Sequence, residues 1–272
     1  MKLVTFEKLD GRLSVGEMRG DDLYSLGTTL SMIEIAADGL SLHDESYKVM
    51  KHNGIQAPVR PSKIFCVGRN YAEHAAELSN PIPTKPLIFS KYPTCVIGTG
   101  DTVQWYDDIT QKVDWEGELV VVIGKTAKNI SEEEAYDHIF GYTIGNDISA
   151  RDIQDSEKQW VRAKAQDTFC PLGPVIVTID DIPDPHTLQV VTKVNGETMQ
   201  DGNTKNMIFK VPYLVSYLSR TFTLLPGDLI LTGTPSGVGK AMKPPRFLND
   251  GDEVSVTIEG IGTLSNRCEI LS

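Results

Sequence analysis

Glu116 and Glu118 stand one residue apart at the head of an apolar run, Leu119-Val120-Val121-Val122-Ile123-Gly124. The run has the length and β-branched content of a buried strand closed by glycine. Residues i and i+2 of a strand point to the same side. Glu116 and Glu118 therefore share a face beside a core, and Asp114 can join them. Carboxylates packed that way repel unless a positive charge stands among them, and a divalent cation with oxygen ligands supplies one. The same pattern also fits a solvated strand edge, the usual place for acids. A third acid, Asp147, follows a second strand-like run at residues 140–145. A strand-to-turn break is a common place for functional residues. It is equally a place for a helix N-cap, and Asp152 is available for either role.

A second candidate lies earlier in the chain. Residues 64–68 read as a strand leading into an Ala-rich stretch that favours helix. On that helix His74 and Glu77, three apart, share a face. A carboxylate holding an imidazole, or sharing a water with it, makes a general base near neutral pH. The spacing fits a surface pair of little consequence just as well. The Pro-rich residues 80–86 would let this element move as a lid. Lys164 offers an amine that, near a metal, stabilises an enolate or binds a carboxylate. Nothing local excludes a solvated lysine there. Residues 233–240 resemble a phosphate loop, but Thr234 stands where that loop needs glycine and Ala241 replaces its Ser/Thr. Pro235 also interrupts the run of backbone donors. With no G-x-G-x-x-G, no nucleotide cofactor is expected.

The elements that position these groups read as short strands punctuated by Gly and Pro. Residues 3–6, 13–18 and 22–26 are strand-like, separated by turns. Residues 29–37 read as a helix ending at Gly39. A linker-like stretch then places a boundary near residue 58, dividing a small N-terminal β-rich domain (1–58) from a catalytic domain (59–272). Residues 131–138 read as a short helix capped by Ser131 and Glu134, and residues 211–218 as another. Late strands are expected at 229–232, 253–258 and 262–268.

The 272 residues, 40% of them hydrophobic, suffice for a core in one or two domains. The net charge of −11 argues against nucleic acid or an anionic membrane surface as partner. No apolar stretch reaches the roughly 18 residues that span a bilayer, and the charged, alternating N-terminus is unlike a signal peptide. Cys66, Cys95, Cys170 and Cys268 lack zinc or disulfide spacing. They read as reduced thiols in a cytoplasmic protein. His43, His52, His74, His138 and His186 form no H-x-x-x-H pattern.

Four pieces together resemble the fumarylacetoacetate hydrolase superfamily, in its bacterial acylpyruvase and 2-hydroxyhepta-2,4-diene-1,7-dioate isomerase branch. They are Val67-Gly68-Arg69-Asn70-Tyr71-Ala72-Glu73-His74, Glu116-Gly117-Glu118-Leu119, Gly145-Asn146-Asp147-Ile148-Ser149-Ala150-Arg151-Asp152 and Leu231-Thr232-Gly233-Thr234-Pro235. In order over residues 60–270, they are specific for the superfamily and poorly specific for the reaction. The resemblance implies a strand-rich α+β fold with a mixed β-roll catalytic domain, a homodimer, and a Mg²⁺ or Mn²⁺ site. It makes Glu116, Glu118 and Asp147 the metal ligands, and His74 with Glu77 a water-activating dyad on a lid helix. Lys164 becomes the active-site lysine, while Arg69, Tyr71, Arg151 and Thr234 contact substrate or support those that do. The branch of fumarylacetoacetate hydrolase itself carries an acid where this chain has Asn70. That argues against fumarylacetoacetate as substrate and for a three-carboxylate site.

The reaction so implied is metal-dependent hydrolysis of a C–C bond in a 2,4-dioxo acid, of acylpyruvate or fumarylpyruvate type, through a stabilised enolate, as in aromatic catabolism. The alternative at the same site is oxaloacetate decarboxylation, or isomerisation and tautomerisation of 2-oxo or 2-hydroxy-dienoic diacids. A non-catalytic binding member is a third reading, against which the intact residue set argues. The partner in every case is a small 2-oxo or 2,4-dioxo acid.

Overall fold

The computed structural model describes residues 1–38 and 46–271. Its central strand, Gly117–Ile123, is buried at every residue. Aliphatic side chains on both faces leave such a segment no solvent side, so it lies between two layers. Leu119, Val121 and Ile123 enter one core cluster, Val120 and Val122 another. The strand pairs antiparallel with Ile139–Asn146 on one side and Leu229–Leu231 on the other. Past Ile139–Asn146 the sheet continues through Cys170–Thr178 to Lys2–Glu7 and the other N-terminal strands. Past Leu229–Leu231 it runs parallel to Ile64–Gly68 and then antiparallel to Leu87–Lys91.

A five-stranded sheet gives Val190, Val256, Ile258 and Leu264 to the first core, and the helix Val211–Thr221 adds Val211, Leu214, Val215 and Leu218. The two sheets approach closely at Gly117, where a Cβ would stand 2.3 Å from Thr192 Oγ1. Only glycine fits there. The architecture is strand-rich α+β with mixed sheets, as expected.

Most expected elements are present with shifted ends. The strand Ile64–Gly68 and the helix Ala72–Glu77 precede the site, and Glu253–Ile258 and Gly262–Leu271 close the chain. The helix expected at 29–37 is Met32–Asp38; its expected stop at Gly39 and the residue His43 lie outside the described residues. Residues 131–138 are not an α-helix. The Ser131–Glu134 capping bonds form, at 2.8 and 3.4 Å, but only the 3-10 turn Ala135–His138 follows. Cys170–Thr178 is a central strand despite Pro171 and Pro174. Its pairing skips from Tyr142↔Val177 to Ile144↔Gly173, a bulge that excuses Pro174 from the ladder.

The boundary near residue 58 falls between the strands Gly54–Gln56 and Ile64–Gly68. Strands before it belong to the large sheet: Leu3 stands opposite Ile176, and Val4 and Phe6 join the core cluster of Leu119. All four cysteines are free and buried. Among the described residues no helix is long and apolar enough to cross a membrane.

Candidate metal centre and active site

Paired strand ends bring the three acids together. Gly117 is in register with Asn146, the Asp147 N–H donates to the Glu116 carbonyl at 2.9 Å, and the Glu116 N–H donates to Asn146 Oδ1 at 2.9 Å. These reciprocal bonds fix Glu116 and Asp147 side by side, with Glu118 two residues on. All three are buried, and one oxygen from each lies within 4.8 Å of the others. The solvated-edge alternative therefore fails. Asp147 is not an N-cap either: the helix Arg151–Ser156 starts after Ala150 with no side-chain cap. Asp152 accepts from Thr110 Oγ1 at 2.6 Å and the Gln111 N–H at 3.1 Å, apart from the cluster. Asp114 is buried but turned to Arg151, whose Nε donates to it at 2.7 Å.

Three buried cations face these acids. Lys164 Nζ donates to Glu116 Oε2 at 2.7 Å and to Asp147 Oδ2 at 2.9 Å. Lys91 Nζ donates to Asp147 Oδ1 and to the Lys164 carbonyl. Arg151 Nη2 lies 2.7 Å from Glu116 Oε1. Burial pushes the Glu116 carboxyl up, but Lys164 and Arg151 outweigh it and hold it well below the usual range. Glu118 goes the other way: burial first, then repulsion from Asp147 and Glu116, drive it well above that range. Among the described residues its one donor is the neutral Gly233 N–H, at 2.7 Å.

Four buried acids (Asp114, Glu116, Glu118, Asp147) thus face three cations (Lys91, Lys164, Arg151), and the unbalanced charge resides on Glu118. An all-oxygen donor set with surplus negative charge suits a hard divalent cation. The residues present fit such an ion.

His74 and Glu77 are not a surface pair. His74 is 4% exposed, and its Nδ1 lies 2.6 Å from Glu77 Oε1. Glu77 Oε2 accepts the Gly237 N–H at 2.8 Å, which seats the Ala72–Glu77 helix on the following loop. His74 of this pair, with Glu116 and Glu118 of the acid cluster, lines a cavity of about 320 Å³, whose wall also includes Arg69, Lys164, Thr234 and Lys240. Arg69 holds a left-handed backbone, φ +54°, unusual for a residue with a side chain and frequent at functional sites. Thr234 Oγ1 donates to the Gly117 carbonyl at 2.9 Å and accepts from Gln200 at 2.7 Å, so it braces the wall it lines. Tyr71 is not on that wall. It packs inward with Leu119 and Val121, because its bridge to Met207 turns it toward the core.

The Asn70 side chain is spent on backbone groups beside the cluster. Its amide donates to the Phe209 and Thr232 carbonyls at 2.9 and 2.8 Å, and its oxygen accepts the Phe209 N–H at 2.7 Å. An ionised acid there would set a carboxylate against two carbonyls. The sequence reading missed Lys91, which ends an unremarkable strand, Leu87–Lys91. It also missed the work of residues 233–240. Their likeness to a phosphate loop was the signal. Their N–H groups do meet anions, but the anions are Glu118, Glu77 and Asp114 of the protein itself.

A strand-rich α+β fold carries a buried Glu–Glu–Asp cluster at one end of its central strand, an oxygen donor set fit for a divalent cation. Residues 63–269 match the fumarylacetoacetate (FAA) hydrolase C-terminal family, and the chain belongs to that family. It is 51% identical over 217 residues to the oxaloacetate tautomerase YisK of Bacillus subtilis, covering 78% of this chain and 72% of that one. Its structure resembles a fumarylacetoacetate hydrolase from Exiguobacterium antarcticum with a TM-score of 0.91 at 41% identity, over the whole of both chains. It resembles a 5-carboxymethyl-2-hydroxymuconate delta-isomerase from Mycobacterium smegmatis with a TM-score of 0.86 at 38% identity, again over both whole chains.

Proposed function

We propose that this chain is a divalent-metal-dependent tautomerase of 2-oxo dicarboxylic acids, interconverting the enol and keto forms of oxaloacetate. The observation that carries the reading is His74 on the wall of the cavity that Glu116 and Glu118 also line, with its Nδ1 held 2.6 Å from Glu77 Oε1. Its support from kinship is the 51% identity to an oxaloacetate tautomerase. Glu116, Glu118 and Asp147 would hold Mg²⁺ or Mn²⁺. When bound, such an ion supplies positive charge that favours the enolate character of a 2-oxo acid.

The protein's own groups do the rest. Glu77 fixes His74 through Nδ1, which leaves Nε2 to exchange a proton with the carbon next to the keto group. A proton delivered to that carbon is matched by one lost from the enol oxygen. Lys164 uses two donors on Glu116 and Asp147, and its third is free for the oxygen where charge develops. Arg69 addresses the carboxylate at the 2-oxo end. Thr234, Arg151 and Lys91 hold this geometry.

The C–C hydrolysis implied by the motifs would use the same dyad to deprotonate a water, and decarboxylation would need little of the dyad. Tautomerisation needs a proton relay and no attacking water; the tautomerase and the delta-isomerase named above support it, whereas the Exiguobacterium neighbour bears the name of a hydrolase. The test follows decay of the enol absorbance of oxaloacetate, pyruvate release from it, and cleavage of an acylpyruvate. Fast enol decay that falls about 100- to 10,000-fold in His74→Ala is the expected result. Acylpyruvate cleavage with a higher kcat/KM than tautomerisation would restore the hydrolase reading. A homodimer belongs to this proposal too, and light scattering in solution tests it.

A further inference from the structure

The buried end of the cavity already pairs its cations with the protein's own acids. Lys91, Lys164 and Arg151 each meet a buried carboxylate. Two other cations line the same cavity, Arg69 and Lys240. The Lys240 backbone is firmly placed. The N–H groups of Gly239 and Lys240 donate to the Asp114 carboxylate at 2.7 and 3.0 Å. That carboxylate also accepts from Arg151, which reaches Glu116. Two side chains therefore tie the position of Lys240 to the acid cluster.

Its ammonium is held far more loosely. It pairs with Asp155 on the helix Arg151–Ser156, and that side chain is 58% exposed. Asp155 itself lines the cavity. An ion pair so open to water contributes little, so the ammonium can change partners at small cost.

We propose that Lys240 is a specificity-determining residue that exchanges Asp155 for the distal carboxylate of a bound 2-oxo dicarboxylic acid. This rests on the reading above of the substrate as a 2-oxo diacid. No covalent bond changes; one carboxylate replaces another on the ammonium. Asp155 is the competitor that keeps Lys240 paired until a diacid arrives. A monoacid lacks the second carboxylate, leaves the pair intact and gains nothing from it. Arg69 acts at the other end of the substrate, so its loss penalises monoacids and diacids alike.

Malate and lactate make the test, because they share the 2-hydroxy acid end and only malate carries the distal carboxylate. Their dissociation constants are measured on the Mg²⁺-loaded enzyme by competition against oxaloacetate turnover and, independently, by titration calorimetry. Wild type should favour malate by about tenfold or more, the usual worth of a charge-assisted hydrogen bond. Lys240→Met should remove most of that preference by weakening malate while leaving lactate unchanged, and Lys240→Arg should keep it. Asp155→Asn should tighten malate. A wild type without the preference, or a Lys240→Met variant that keeps it or weakens both ligands equally, overturns the proposal. A Lys240-dependent malate preference in the calorimeter, in an enzyme that does not tautomerise oxaloacetate, sinks the tautomerase reading and leaves the role of Lys240 standing.

Discussion

Glu118 is the least compensated charge of the buried acid cluster. Its oxygens meet a backbone N–H where its neighbours meet ammonium and guanidinium groups. Removing the charge without the shape should therefore help the metal-free protein. Glu118→Gln is expected to raise its unfolding temperature near pH 7, by about 2–4 °C for each kcal/mol relieved. The sign with pH follows from the raised carboxyl. Such a group favours the fold fully below the ordinary glutamate value, about 4.3, and that contribution is lost as pH rises toward the raised one. The gap between variant and wild type should widen from pH 5 to pH 8 in chelator.

With Mg²⁺ present the order should reverse. An ion at 100 times its dissociation constant adds about 2.7 kcal/mol to wild type, and Glu118→Ala should show no such increment while remaining folded. Metal-dependent melting that survives this change would remove Glu118 from the ligand set. Glu116 and Glu118 were legible because a strand's period of two and a β-branched run fix which side chains share a face, and Asp147 because it follows a second strand-like run where the chain breaks into a turn. Lys91 was not, because one lysine at a strand end carries no local sign of the partner it meets 56 residues away.

Among elements, the Leu87–Lys91 strand and the short helix Val161–Lys164 are joined through Lys91, which touches both Asp147 and the Lys164 carbonyl. Lys91→Met would strip one partner from a buried carboxylate, a loss typically of about 3–5 kcal/mol. Urea unfolding should show that loss, and metal affinity should fall with it as Lys164 and Asp147 lose their common anchor. A stable variant with unchanged affinity would reduce Lys91 to a filler.

The helix Ala72–Glu77 is expected to behave as a lid hinged at the prolines of residues 80–86 and seated by Glu77 on the Gly237 N–H. Oxalate, a mimic of the enolate, should increase hydrogen-exchange protection over residues 70–85. Gly237→Ala should reduce it, since a Cβ there would stand 2.1 Å from the Met199 carbonyl at φ +106°. Unchanged protection around His74 in both experiments would argue for a fixed wall. The helix itself could be read from its alanines; its seat could not, because that contact spans 160 residues.

At the scale of the whole molecule, the N-terminal strands and the later chain share one sheet and two cores. Val4 and Phe6 pack with Leu119, and Leu3, Val15 and Ile35 with Val120. A chain lacking residues 1–58 would expose the partners of these side chains and an unpaired edge on Cys170–Thr178. It should aggregate or unfold without cooperativity by circular dichroism. A cooperative, monodisperse fragment that still binds Mg²⁺ would establish residues 59–272 as an independent unit. The sequence suggested a linker at its Pro- and Gly-rich residues. Pairing across it is a long-range fact that local composition does not carry.

Residues 233–240 have a bearing on how such a protein diversifies. One short stretch supplies N–H groups to Glu118, Glu77 and Asp114, which sit respectively in the buried acid cluster, in the pair with His74 and in the anchor of Arg151. A mutation that shifts this backbone disturbs all three duties together, so selection has little freedom there to trade one for another. Lys240 is different: its backbone shares that constraint, but its side chain pairs with an exposed acid. In a lineage drifting toward a new acid substrate, the first viable changes should therefore fall on Lys240 and on the outward positions of Arg151–Ser156, with the glycines of the stretch held still.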